Sequence, residues 1–296
     1  MGGRFGSVLT AMVSPFDDSG TLDLDAAATI ARFLQDQGND GLVVAGTTGE
    51  ASTLSSAEKL DLWRAVSEAV TIPVIAGTGS NDTAESVELT RAAAGCGAAG
   101  VLVVGPYYNR PPQSGLERHF RAVAEATDLP VVVYDVPVRT GRRVAADVLL
   151  RLFRDVPNVV AFKDATGDPP SAARLVAELG AAVELYSGDD AMTLPLLAVG
   201  AVGVIGVATH WTTPEHVELF AAWEKGDAIG AREVNARLLP SFEYENSETC
   251  VHAQSAKAAL RVLGLPAGEC RLPVGPAPDG TDDRAREVLR GLGRDV

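Results

Sequence analysis

An ammonium group closes the apolar run Val159-Val160-Ala161-Phe162-Lys163, a segment that otherwise reads as a buried strand. Burial penalises the charged form of a lysine and lowers its pKa, which turns an inert cation into an amine able to attack a carbonyl carbon. The plain alternative is a lysine whose head snorkels from a strand end into water. The company of Lys163 favours chemistry, because other apolar runs also end in polar or glycine-rich clusters: Gly46-Thr47-Thr48-Gly49-Glu50, Gly105-Pro106-Tyr107-Tyr108-Asn109, Tyr134-Asp135-Val136-Pro137-Val138-Arg139-Thr140-Gly141 and Ser187-Gly188-Asp189-Asp190. Singly, each cluster has a structural explanation in tight turns, helix caps, rim packing or a surface ion pair.

The chemistry open to such a group is specific. A desolvated lysine forms a Schiff base with a ketone, and the iminium is an electron sink that lets the adjacent carbon lose a proton and become an enamine nucleophile. Protons must then move on and off several atoms. Thr47, Tyr108 and Tyr134 can supply a hydroxyl relay for this, with the phenol expected to ionise more easily beside ammonium or iminium charge. The turn at residues 46–49, with backbone N–H groups and threonine hydroxyls, suits a small carboxylate, and Arg139 can hold a second one bidentately.

These residues need a scaffold that brings them together. Short apolar runs alternate with amphipathic stretches up to about residue 225, and the strand expectations are residues 8–13, 41–45, 73–76, 100–104, 130–134, 159–163, 183–187 and 203–205. Runs that are continuously apolar are those of strands covered on both faces. Ser55 with Glu58, and Asp82 with Glu85, each predict a helix start with a capping box. Eight parallel βα units are the number that closes a (β/α)8 TIM barrel, in preference to an open doubly wound sheet. In a barrel the ends of the strands share one face, so all of the clusters converge there. Helical periodicity then takes over at residues 228–239, 251–263 and 282–290. The expected organisation is a catalytic barrel over residues 1–226 and a helical C-terminal extension over 227–296.

Composition narrows the function further. The chain has 296 residues and a formal net charge of -14, which excludes a nucleic-acid footprint and makes an anionic membrane repulsive. With no signal-like start and no apolar run long enough to span a bilayer, the expected location is the cytoplasm. Cys96, Cys250 and Cys270 are too few and too scattered for a disulfide framework, and the four histidines show no metal-ligand spacing, so no metal is expected.

Over nearly its whole length the chain resembles the pyruvate-dependent class I aldolases, the family of dihydrodipicolinate synthase and N-acetylneuraminate lyase. The resemblance runs from Gly46-Thr47-Thr48-Gly49-Glu50 through Phe162-Lys163-Asp164-Ala165-Thr166-Gly167 to Gly203-Val204-Ile205. It implies Lys163 as the Schiff-base residue, Tyr134 as proton donor and acceptor, and Thr47 and Tyr108 as the rest of the relay, with Tyr108 reaching in from a neighbouring subunit. It implies further that Thr48 and the Ile205 main chain contact pyruvate and that Gly188 lines the pocket. No cofactor is implied beyond the covalent pyruvate adduct, and the usual assembly is a homotetramer, a dimer of tight dimers. Arg139 and Pro106-Tyr107-Tyr108-Asn109-Arg110-Pro111 resemble the synthase branch, which implies condensation of pyruvate with L-aspartate 4-semialdehyde on the way to lysine and diaminopimelate. A related lyase acting on a sugar acid is the alternative, and a non-catalytic barrel a remoter one. Asn81, Glu85 and Tyr107 match a lysine-binding regulatory pattern, but Ser56 and Lys59 stand where inhibited relatives carry histidines, so weak or absent inhibition by lysine is expected.

Overall fold

Eight short strands close on one another in sequence order, each parallel to its neighbours, with β8 returning to β1. They are β1 Val8–Ala11, β2 Gly41–Val44, β3 Val74–Gly77, β4 Gly100–Val104, β5 Val131–Asp135, β6 Val159–Asp164, β7 Glu184–Ser187 and β8 Gly203–Gly206. The computed structural model describes residues 2–247 and 249–296. The expected strands lie within a few residues of the observed ones, and the (β/α)8 barrel is the fold.

The continuous apolar runs have the expected cause. One set of side chains, among them Leu9, Val43, Ile75, Leu102, Val132, Ala161 and Ile205, fills the barrel interior. The other, including Val8, Leu42, Val74, Val101, Val131 and Val159, packs outward under the helices. Both faces of every strand are therefore dry. The register shifts between Val131 and Val132, where Val159 and then Ala161 are the partners, so the chain bulges at Val160.

The outer layer consists of α1 Leu24–Asp36, α2 Ser56–Ala69, α3 Thr83–Ala93, α4 Gln113–Ala124, the short α5 Pro137–Thr140, α6 Ala146–Asp155, α7 Pro169–Leu179, α8 Thr193–Leu197 and α9 Thr209–Glu224. The capping box of α2 is complete, with Ser55 Oγ accepting from Glu58 N–H and Glu58 accepting from Ser55 N–H. That of α3 is not. Asp82 caps the helix through Ala84 N–H, but the Asp82 N–H donates to Ser80 Oγ, and Glu85 accepts from the Ser80 hydroxyl at 2.5 Å instead of folding back.

Three more helices follow: α10 Ala228–Glu245, α11 His252–Val262 and α12 Thr281–Gly291. α10 runs beyond the expected end at residue 239 and carries Pro240 inside it. The aromatic side chains past the proline hold it there: Phe242 lies 6.0 Å from the His216 ring, Tyr244 packs edge-on against Trp211 at 5.7 Å, and Trp211 Nε1 donates to Ser241 Oγ. Tertiary packing outweighs the lost helical hydrogen bond. Among the described residues no helix is long and apolar enough to cross a membrane.

Candidate active site

Strand alternation places the central pair. Side chains two residues apart share a face, so Tyr134 follows the interior residue Val132 and Lys163 follows Ala161. The bulge brings the two strands into step, with Tyr134 opposite Lys163 in the β5–β6 register. Lys163 Nζ lies over the Tyr134 ring, 4.5 Å from its centroid. Both side chains are almost fully buried, at 4% and 5% exposure.

Burial dominates both ionisations. It lowers the Lys163 ammonium to about 8, opposed by the negative charges of Asp190, Glu245 and Asp189 and assisted by Arg139. The same burial raises the Tyr134 phenol to about 12, only partly offset by Arg139 and by hydrogen bonding with Thr47. The sequence expectation of an easily ionised phenol is therefore corrected: desolvation outweighs neighbouring positive charge, and Tyr134 keeps its proton at neutral pH.

A cavity of about 330 Å³ opens on this pair at the C-terminal ends of the strands. Thr47 and Thr48 after β2, Arg139 on α5 and Gly188 after β7 join Lys163 and Tyr134 in lining it. At Gly188 a Cβ would stand 3.0 Å from both Cγ and Cε of Lys163, so this position gives the lysine its space. Ile205 sits one layer deeper, fully buried in the barrel interior opposite Leu9. Tyr108 is not brought in: it is 89% exposed and does not line the cavity of its own chain.

Asn81, Glu85 and Tyr107 gather beside a second cavity of about 220 Å³, which Tyr107, Lys59 and Ser52 line and which shares Thr47, Tyr134 and Arg139 with the first. Tyr107 hydrogen-bonds with Ser80 and with the Asn81 backbone, and burial raises its phenol. Lys59 is buried too. Desolvation lowers its pKa and the charge of Glu85 opposes that.

Sequence reasoning missed the polar lining residues Glu245, Asn246 and His252, which arrive from the end of α10 and the start of α11. It also left Glu50 without a task. Glu50 is buried in a left-handed backbone conformation at φ 53°, accepting from Lys257 Nζ at 2.6 Å and from the Arg271 backbone N–H at 2.9 Å. Lys257 is fully buried and lies over the Phe16 ring. This ion pair ties α11 to the turn that carries Thr47 and Thr48. The apolar spacing of Ala256, Ala258, Ala259 and Leu260 around Lys257 was the available signal.

The closed (β/α)8 barrel has its cavity at the mouth, and the relatives that share nearly the chain's whole length make it a lyase of the class I aldolase type. The chain belongs to the dihydrodipicolinate synthetase family, whose family model matches residues 4–291. It is 49% identical over 291 residues to a 4-hydroxy-tetrahydrodipicolinate synthase of Parasynechococcus marenigrum, with 97% of this chain and 95% of that one covered. A 4-hydroxy-tetrahydrodipicolinate synthase 2 of Streptomyces coelicolor is also 49% identical, over 290 residues, covering 97% of this chain and 95% of that protein. Among solved structures, the dihydrodipicolinate synthase of Cyanidioschyzon merolae with lysine bound superposes with a TM-score of 0.94 at 40% identity, covering 98% of each chain.

Proposed function

We infer that this chain is a 4-hydroxy-tetrahydrodipicolinate synthase, condensing pyruvate with L-aspartate 4-semialdehyde, and that it does so without a cofactor, through a Schiff base on Lys163. The observation that carries the mechanism is the in-register Lys163–Tyr134 pair at the mouth of the barrel. The Lys163 lone pair bonds to C2 of pyruvate, and the carbonyl oxygen leaves as water with one proton from the nitrogen and one from the Tyr134 phenol. That leaves an iminium beside a phenolate. The phenolate then takes a proton from the methyl carbon, giving an enamine and restoring the phenol. The enamine carbon bonds to the aldehyde carbon of the semialdehyde, whose oxygen is protonated through the hydroxyl relay of Thr47, Tyr134 and a neighbouring subunit's Tyr108. Attack of the semialdehyde's amino nitrogen on the iminium carbon closes the ring; its two protons pass to the Lys163 nitrogen and to the Tyr134 phenolate left by protonation of the aldehyde oxygen, and cleavage of the Lys163–C2 bond returns the free amine and the phenol.

Thr48 and the Ile205 main chain serve the pyruvate end, and Arg139 the carboxylate of the semialdehyde. The site is completed in a homotetramer of the cytoplasm, built as a dimer of tight dimers. Regulation by L-lysine is absent or weak, because the buried ammonium of Lys59 already faces Glu85, where a cationic effector would have to bind.

A coupled assay of pyruvate with aspartate semialdehyde, run beside N-acetylneuraminate cleavage, tests the reading. Turnover is expected only with the semialdehyde, and at most weakly slowed by L-lysine; the opposite substrate preference overturns the first expectation and strong inhibition by sub-millimolar lysine the second. In the same assay Arg139→Ala is expected to lose about 2–5 kcal/mol of transition-state binding while pyruvate trapping on Lys163 persists, since a charge-assisted bidentate contact is removed. Unaltered kinetics with the semialdehyde would make Arg139 structural.

A further inference from the structure

Asp190 in the turn after β7, His216 on α9 and Glu245 at the end of α10 meet in a buried cluster that the hydroxyl relay does not use. None is more than 2% exposed. Asp190 Oδ2 accepts the Val207 N–H at 2.7 Å. Its Oδ1 has no donor, Glu245 Oε2 has none, and His216 Nε2 has no partner, with Oδ1 and Nε2 only 3.8 Å apart. A Cβ at Gly206 would collide with Asp190 Oδ1, so the backbone there keeps the space for it.

The tautomer of His216 follows from its neighbours. The Thr212 hydroxyl donates to Ala208 O, so the contacts of His216 Nδ1 with Thr212 Oγ1 at 3.0 Å and Thr212 O at 3.1 Å both require the hydrogen to be on Nδ1. Burial keeps the ring neutral, and Nε2 is left as a bare lone pair. His210 is the contrast, donating from Nδ1 to Val207 O and accepting the Val13 N–H at Nε2, with nothing unsatisfied. Three acceptors without a donor are costly in a dry interior unless a proton is shared among them. Glu245 can hold it: burial first, and then Asp190, drive its carboxyl well above the usual range, and as an acid it donates to Asp190.

The cluster reaches the cavity through Glu245, which lines it. Asp190 and Glu245 are the foremost negative influences on Lys163, joined by Asp189, with Arg139 on α5 opposing them. From α11, His252 Nδ1 stands 3.9 Å from Glu245 Oε1, and burial lowers that imidazole to about 4. From α9, Glu215 faces His216 but is bound to Arg294. Among the described residues no group of His, Cys, Asp and Glu is arranged to hold a metal ion.

We propose that Asp190 and Glu245 are positioning residues that share one proton and so present a single negative charge behind Lys163, setting how readily that lysine gives up its own proton to become the nucleophile. With one shared proton the amine is accessible near neutral pH, whereas two ionised carboxylates would hold Lys163 as the ammonium. The proposal rests on the reading of Lys163 as the Schiff-base residue.

The test is the pH dependence of pyruvate trapping on Lys163 by cyanoborohydride, followed by peptide mass spectrometry, in the wild type, Glu245→Gln, Asp190→Asn and the double variant. Glu245→Gln is expected to keep the wild-type midpoint, because the charge of Asp190 remains, whereas Asp190→Asn is expected to lower it as far as the double variant does, because burial alone still holds Glu245 as the acid. The double variant is expected to move it down by about one pH unit, as loss of an opposite charge near an ammonium does. Midpoints that fall in each single variant and add in the double mean two ionised carboxylates and overturn the proposal, as does an unmoved double. Should Asp190→Asn fail to fold, infrared difference spectra of the wild type against Glu245→Gln decide: a protonated carboxyl band at neutral pH that vanishes in the variant supports the proposal, and its absence overturns it. Failure of the wild type to form any adduct on Lys163 overturns the Schiff-base reading itself, a result distinct from an adduct whose pH profile ignores the pair.

Discussion

Until an iminium stands beside it, Tyr134 holds its proton, since burial has raised the phenol to about 12. Such a group cannot act as a base while it keeps its proton and is a weak acid until positive charge builds beside it, and in the proposed mechanism that charge arrives only as water leaves the carbinolamine. On the proposed mechanism, proton transfer is thereby timed by the substrate. Tyr134→Phe is expected to keep the fold and the ring packed against Lys163, and to lower kcat by about 10²–10⁴, the range general acid–base catalysis supplies. Steady-state assay of the variant checks this, and a kcat within a few fold of the wild type would remove Tyr134 from the relay. Lys163 was legible in the sequence because an ammonium ending a Val-Val-Ala-Phe run has few inexpensive explanations. The direction of the Tyr134 shift was not, because it depends on which face of β5 points inward. Nor was Glu245: its approach to Lys163 exists only once α10 has continued past Pro240 and packed on α9.

At the scale of elements, the strands were legible because a parallel barrel dries both faces of each strand and leaves a continuous apolar run in the sequence. What joins separate elements was harder to read. The turn bearing Thr47 and Thr48 ends at Glu50, whose carboxylate meets Lys257 from α11 at 2.6 Å, and Lys257 also donates to Glu269 O at 2.9 Å. A fully buried ion pair adds little net stability compared with apolar packing, but losing one partner strands the other's charge. Lys257→Met is therefore expected to destabilise the fold by about 3–5 kcal/mol, and adding Glu50→Gln should restore part of that loss. Denaturant titrations at neutral pH give both values. A double variant as unstable as the sum of its singles would show that the two residues do not act as a pair.

The described residues leave conspicuous apolar surface, part of it at the mouth of the barrel, where Val138 lines the cavity. Tyr108 is 89% exposed, Val138 90% and Leu272 81%. Tyr108 also has a left-handed backbone at φ 71°, a conformation that costs a residue with a Cβ on the order of 1–3 kcal/mol and persists where the surroundings demand it. A strained loop that presents a phenol to solvent is wasteful in a lone chain and sensible if the phenol enters the cavity of a second copy. Two inactive variants discriminate these cases. Lys163→Ala lacks the amine but still offers Tyr108, while Tyr108→Phe keeps the amine but lacks the phenol. In a mixed dimer, the site built on the Tyr108→Phe chain regains both groups. Random reassortment makes half the dimers mixed, each with one complete site, so about a quarter of all sites, and of the wild-type rate, should return on co-refolding equal amounts of the two. If Tyr108 served its own chain, no mixed site would be complete and the mixture would stay at the average of its inactive parents.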